Sequence, residues 1–178
     1  MIAFVSGGAR SGKSAVAEAL ARAWRSPGPG DLVYLATARV ADDEMAARVA
    51  RHRRERGEGW VTLEAPLDLA GALAGIEAGS SVLLDCLTLW ASQVLFEAGL
   101  AEADGAARLR RLIETARRRD IALVVVSNDL NEDLPPRAPL VWRYLAFLQG
   151  LHRELARQAD RVIEVVAGQP IDWKGESP

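Results

Sequence analysis

The octapeptide GGARSGKS at 7–14 follows the spacing G-x-x-x-x-G-K-[ST], with Gly7, Gly12, Lys13 and Ser14 at the four specified places. An apolar run, IAFVS at 2–6, leads into it, and an amphipathic one, KSAVAEALARAW, leads out. The motif requires that context: a strand, a glycine-rich turn, then a helix. Its glycines let the backbone curl until consecutive N–H groups point inward at a phosphate, and the helix N-terminus adds its positive dipole end. In this chemistry Lys13 reaches the β- and γ-phosphates and the Ser14 hydroxyl ligates Mg²⁺. The competing reading is a chance glycine-rich turn, which would have to reproduce four positions and both flanks.

The rest of the chain repeats the alternation. LVYLAT at 32–37, VLLD at 82–85, IALVVVS at 121–127 and VIEVV at 162–166 are near-continuous apolar runs. Such runs mark strands covered on both faces. WVTLE at 60–64 alternates instead and reads as an edge strand. Helical patterns fall at 13–25, 42–55, 67–78, 87–98, 101–119 and 138–159, with breaks at SPGPG (26–30) and LPPRAP (134–139). The expected fold is α/β, a mostly parallel sheet flanked by helices on both faces. No repeat or low-complexity tract divides it, so residues 1–178 are expected to form a single nucleotide-binding domain, with WKGESP as a frayed tail.

Composition narrows the partners. With 49% hydrophobic and 26% charged residues and a formal charge of −2, the chain suits a globular protein with no need of nucleic acid or an anionic membrane. One cysteine, Cys86, excludes an internal disulfide and a cysteine-only metal site. MIAFVSGG has no basic start and its apolar run is too short to span, so a cytoplasmic protein without a membrane span is expected.

A phosphate loop needs an acidic partner for the metal. SVLLDC at 81–86 ends in Asp85 at the carboxyl end of a buried strand, the end where open parallel sheets bind ligands. Asp85 is therefore the candidate for Mg²⁺, directly or through water; the bland alternative is a helix N-cap. Ser127, Asn128 and Asp129 stand at the same end of another strand, either orienting the γ-phosphate or attacking group, or capping a turn.

AARVARHRRERG at 46–57 poses a harder question. Asp42, Asp43 and Glu44 read as a helix N-terminal turn, and Met45 and Val49 as its buried stripe. His52 falls three residues beyond Val49, near the edge of that stripe, with Arg48 four residues before it and Arg51, Arg53, Arg54 and Arg56 around it. Nearby guanidiniums disfavour protonation of the ring, and a neutral imidazole is what attack on phosphorus requires. On residues alone three readings stay open: a solvated face, an arginine-bearing lid over the nucleotide, or a nucleophile.

Together, GGARSGKS, YLATARVADDEMAARVARHRRERGEGWVTLEAPLDL and VLLDCLTLWASQVLF resemble the bifunctional adenosylcobinamide kinase / adenosylcobinamide-phosphate guanylyltransferase family of cobalamin biosynthesis. The likeness runs through about residues 1–128 and resumes in ADRVIEVVAGQP at 159–170. It implies a P-loop NTPase with a RecA-like sheet, assembled as a homo-oligomer, a trimer. It implies phosphorylation of adenosylcobinamide from ATP or GTP, then transfer of GMP from GTP through a guanylyl-histidine to give adenosylcobinamide-GDP and pyrophosphate. The guanylylated histidine falls on His52. The family's nucleotide contacts fall on Gly7, Gly8, Ala9, Arg10, Ser11, Gly12, Lys13 and Ser14, on Ala36, Thr37 and Ala38, on Arg53, Arg54, Glu55 and Arg56, and on Glu64 and Asp85.

Two departures stand out. NDLNEDLPP at 128–136 replaces a glycine-containing stretch of the form NEVGxGIVP, and His152 stands where the last helix usually carries asparagine. In GLHRELARQADR, His152 reads most simply as a helix-surface or interface residue. The alternatives to the two-step enzyme are a plain small-molecule kinase with an arginine-bearing lid, and a nucleotide switch. The switch lacks the guanine-reading N-K-x-D pattern, since SND at 127–129 has no lysine.

Overall fold

Each apolar run becomes a strand because both of its faces are covered. In this computed structural model, which describes residues 1–27, 30–38, 56–130 and 138–175, strand β1 spans Ile2–Gly7. Ile2 and Phe4 point into one core while Ala3 and Val5 point into the other. The same division runs along β4 (Ser81–Asp85), with Val82 and Leu84 against Leu83, and along β5 (Ala122–Asn128), with Leu123 and Val125 against Val124 and Val126. With apolar partners above and below, alternation has no role, and the runs read as continuous.

Helix α1 (Lys13–Trp24) follows β1, and β2 is Leu32–Ala36. Strand β3 (Trp60–Glu64) precedes the short α2 (Leu69–Leu73). After β4 come α3 (Leu87–Ser92), a π-helical turn over Gln93–Glu97, and α4 (Glu102–Arg118). Helix α5 (Pro139–Gln158) leads into β6 (Arg161–Val166) and β7 (Gln169–Lys174). The sheet order is β3-β2-β4-β5-β1-β6-β7. All neighbours are parallel except β6 and β7. Strand β3 lies at an edge, as its alternation predicts.

The larger core packs α2 to α5 on one face through Leu73, Trp90, Leu109, Leu112, Ile113, Leu151 and Leu155. Among the described residues, α1 alone covers the other face, through Ala17, Leu20 and Ala21. The carboxyl ends of β1, β2, β4 and β5 thus share one edge of the sheet, where α1 begins.

Three elements differ from expectation. The helix expected at 67–78 is a single turn and a half, started by the Asp68 carboxylate accepting from the Gly71 N–H at 3.0 Å. The segment 87–98 widens from α to π geometry after Ser92. The tail forms β7 before it ends: Trp173 Nε1 donates to Glu164 at 2.9 Å, and Arg161 pairs with Asp172 at 2.6 Å. That strand is exposed along its whole length and holds Pro170, so no buried pattern announces it. The helix expected over 42–55, and residues 131–136 of NDLNEDLPP, lie outside the described residues. No described helix is long and apolar enough to cross a membrane.

Candidate nucleotide-binding site

The phosphate loop owes its shape to backbone that side chains would block. A Cβ on Gly7 would stand 2.5 Å from the Val165 carbonyl oxygen and 2.6 Å from Ser11 Oγ. Gly12 has φ +92°, the left-handed region that glycine occupies without strain, and from there α1 begins at Lys13. The Gly168 N–H ties the loop to the β6–β7 turn by donating to the Ser11 carbonyl at 2.8 Å. Ala9, Arg10 and Ser14 are exposed, whereas Gly8 and Ser11 are partly covered.

Lys13 is 8% exposed and folds back to donate from Nζ to the Gly8 carbonyl at 3.0 Å. Burial lowers its pKa, while the Asp85 carboxylate acts in the opposite direction and favours the ammonium. Burial likewise raises the Cys86 thiol, which leaves it protonated and a poor nucleophile.

Asp85 ends β4, in register with Ala36 of β2. The N-cap of α3 is Cys86, without a side-chain cap, so Asp85 does not fill the capping role. Instead one carboxylate oxygen, Oδ2, accepts from the Tyr34 hydroxyl at 2.8 Å. Thr37 is fully buried and stitches β2 to the turn after β4: its Oγ1 accepts from the Cys86 N–H at 3.1 Å, and its carbonyl accepts from Gln93 Nε2 at 2.8 Å. Ala36 and Ala38 are partly covered, and Glu64 is exposed at the end of β3. Arg56 is 6% exposed and lays its guanidinium over the Tyr34 ring, 3.2 Å from the centroid. His52, Arg53, Arg54 and Glu55 lie outside the described residues.

At the end of β5 a polar network anchors α5. The Asn128 N–H donates to Thr88 Oγ1 at 2.8 Å, and the Thr88 and Ser127 hydroxyls meet at 2.9 Å. Ser127 Oγ lies 2.7 Å from His152 Nε2, and the imidazole packs against Phe4 with centroids 5.1 Å apart. The Asp129 N–H donates to the Gly7 carbonyl at 2.9 Å, joining this strand end to the loop. The surface reading of His152 is therefore wrong: the ring turns inward, one step from the buried Leu151. Burial pushes its pKa down to about 4 from the ordinary 6.5, with Asp129 pulling the other way.

That shift has a measurable sign. As pH falls from 6.5 towards 4, the unfolded chain takes up the His152 proton before the folded one does. Stability should therefore fall across that window. His152→Gln should give a shallower loss of melting temperature over the same window, and an unchanged slope would show that His152 is not the group responsible.

The motifs mark the loop and Asp85 but give no sign of Tyr34, Thr88 or Gln93. Tyr34 reads as one more apolar strand residue, and its polar role depends on which strand lies beside it.

Loop, buried lysine and strand-end carboxylate on one edge of a parallel sheet define a P-loop nucleotide-binding protein. Solved structures share the architecture: the flagellar accessory protein FlaH of Methanocaldococcus jannaschii (TM-score 0.53, 11% identity, 98% of this chain and 78% of that one) and a KaiC-like protein of Pyrococcus horikoshii (TM-score 0.50, 11% identity, 92% and 69%). The chain belongs to the CobU family, cobinamide kinase / cobinamide phosphate guanyltransferase, whose model matches residues 3–173. Bifunctional adenosylcobalamin biosynthesis protein CobP of Pseudomonas aeruginosa is 39% identical over 96% of this chain and 95% of its own length. The CobU protein of Escherichia coli, named in the same terms, is 33% identical over 98% and 100%. Membership favours the two-step transferase over the plain kinase and the switch, and makes nucleotides and cobinamide the substrates.

Proposed function

We propose that the phosphate loop serves both reactions in turn, with the residues of this chain in the roles their sequence positions suggest. In the first, the loop N–H groups and Lys13 hold the phosphates of ATP or GTP while the γ-phosphate passes to the hydroxyl of adenosylcobinamide. In the second, His52 attacks the α-phosphorus of GTP: a P–N bond forms, the bond to the β-phosphate oxygen breaks, and pyrophosphate leaves. The GMP then passes to adenosylcobinamide phosphate, giving adenosylcobinamide-GDP and freeing His52. A histidine–phosphorus bond is labile enough to be made and handed on. Arg53 and Arg54 would neutralise the triphosphate or the departing pyrophosphate, whereas the Arg56 guanidinium is stacked on Tyr34.

The donor set fits Mg²⁺ brought in by the nucleotide. Asp85 stands at the carboxyl end of β4 and offers a carboxylate oxygen that Tyr34 does not occupy. One carboxylate and the Ser14 hydroxyl, with substrate phosphates completing the shell, is the usual way this ion is held. When bound it would neutralise charge on the transferred phosphoryl group.

The observation that carries the reading is the buried Lys13 of the phosphate loop, its Nζ donating to the Gly8 carbonyl at 3.0 Å, at the sheet edge where Asp85 ends β4. The chain acts in this account as one nucleotide-binding domain over 1–178, cytoplasmic, in a homo-oligomer of three. The exposed Leu140, Val141 and Trp142 at the start of α5 suit such an assembly. Incubated with adenosylcobinamide, ATP and GTP, the protein should yield adenosylcobinamide-GDP and one pyrophosphate per product. Accumulation of the phosphate ester alone would return the chain to the plain kinase reading.

A further inference from the structure

A tyrosine in an inner strand must find a partner for its hydroxyl. Tyr34 of β2 is in register with Leu83 of β4, and Ala36 with Asp85. Tyr34 and Asp85 therefore project on the same sheet face, one same-face step apart on adjacent strands, within diagonal reach of a long side chain. The phenol uses that reach, donating to Asp85 Oδ2 at 2.8 Å.

The ring is held in turn. Arg56 covers one face, and Trp60 meets the ring at 88°, with centroids 6.4 Å apart. Arg22 of α1 secures both neighbours: its guanidinium lies 5.3 Å from the Trp60 centroid and donates to the Arg56 carbonyl at 2.8 Å. Arg56 Nη1 is buried and has no hydrogen-bond partner among the described residues. Its guanidinium lies against the ring that orients the strand-end carboxylate.

We propose that Tyr34 is a positioning residue for the metal-side carboxylate, fixing one oxygen of Asp85 so that the other faces the nucleotide-borne Mg²⁺, with Arg56 and Trp60 caging the ring. The inference rests on the proposed role of Asp85. Tyr34→Phe removes one oxygen atom and keeps the ring beneath Arg56, which makes it a mild change to the fold. The readout is binding of a fluorescent GTP analogue by the full chain as Mg²⁺ is titrated, with the metal-free affinity measured alongside.

Loss of an orienting partner of a metal ligand typically costs about 10–100-fold in metal affinity or activity. The Mg²⁺ midpoint should therefore rise about 10-fold or more in Tyr34→Phe, with metal-free nucleotide binding unchanged and kcat falling more than KM rises. Asp85→Asn, run in parallel, separates the two ideas. If Asp85→Asn shifts the midpoint and Tyr34→Phe does not, Tyr34 does not position the carboxylate, even if the variant melts earlier. If Asp85→Asn itself leaves the midpoint in place, the metal role of Asp85 fails and the inference goes with it.

Discussion

Lys13→Ala should lower phosphoryl transfer by at least about 10²–10³-fold in kcat, the effect of removing one preorganised donor from a site where charge develops. The expected loss lies towards the upper end because Lys13 supplies a full charge rather than a dipole. In the structure its Nζ is occupied by the Gly8 carbonyl at 3.0 Å, and burial already works against its charged form. A triphosphate entering the loop offers better acceptors, so the ammonium exchanges one neutral carbonyl for charged oxygens as the site fills. Alanine removes that exchange while Gly7 and Gly12 still shape the loop. Thermal unfolding of the variant should remain cooperative, and a steady-state kinase assay reads the loss. Survival of kinase activity would mean that phosphates are held somewhere other than this loop.

The second large effect is a separation of activities. His52→Ala should reduce guanylyl transfer on the order of 10³-fold or more, because no other group then carries the nucleotide between substrates. The kinase step has no covalent intermediate and should persist, measured as the phosphate ester formed from adenosylcobinamide and ATP. Equal loss of both activities would make His52 a nucleotide-positioning group.

The loop is legible in the sequence because its conformation excludes side chains: Gly7 abuts the Val165 carbonyl and Gly12 takes a left-handed φ, so the spacing itself records the geometry. The inner strands are legible because burial on both faces leaves an unbroken apolar run. Strand β7 is not, since an exposed edge strand containing proline has no hydrophobic signature.

His152 could have been found. It stands four residues after Leu148, one after Leu151 and three before Leu155, all buried, which places it on the inner stripe of α5. Its identity as a polar residue concealed that position. The Arg56–Tyr34–Asp85 arrangement was out of reach for a different reason. It depends on β2 lying next to β4 in one particular register, a pairing of segments almost fifty residues apart that no local pattern specifies.

In the proposed scheme one chain performs both reactions, and the second runs through a covalent histidine. Incubation with α-³²P-GTP, followed by denaturation, tests this most directly. The wild-type protein should retain acid-labile, alkali-stable label, as a phosphorus–nitrogen bond requires, and His52→Ala should retain none. Full labelling of His52→Ala, or a wild-type protein that never labels, would contradict it.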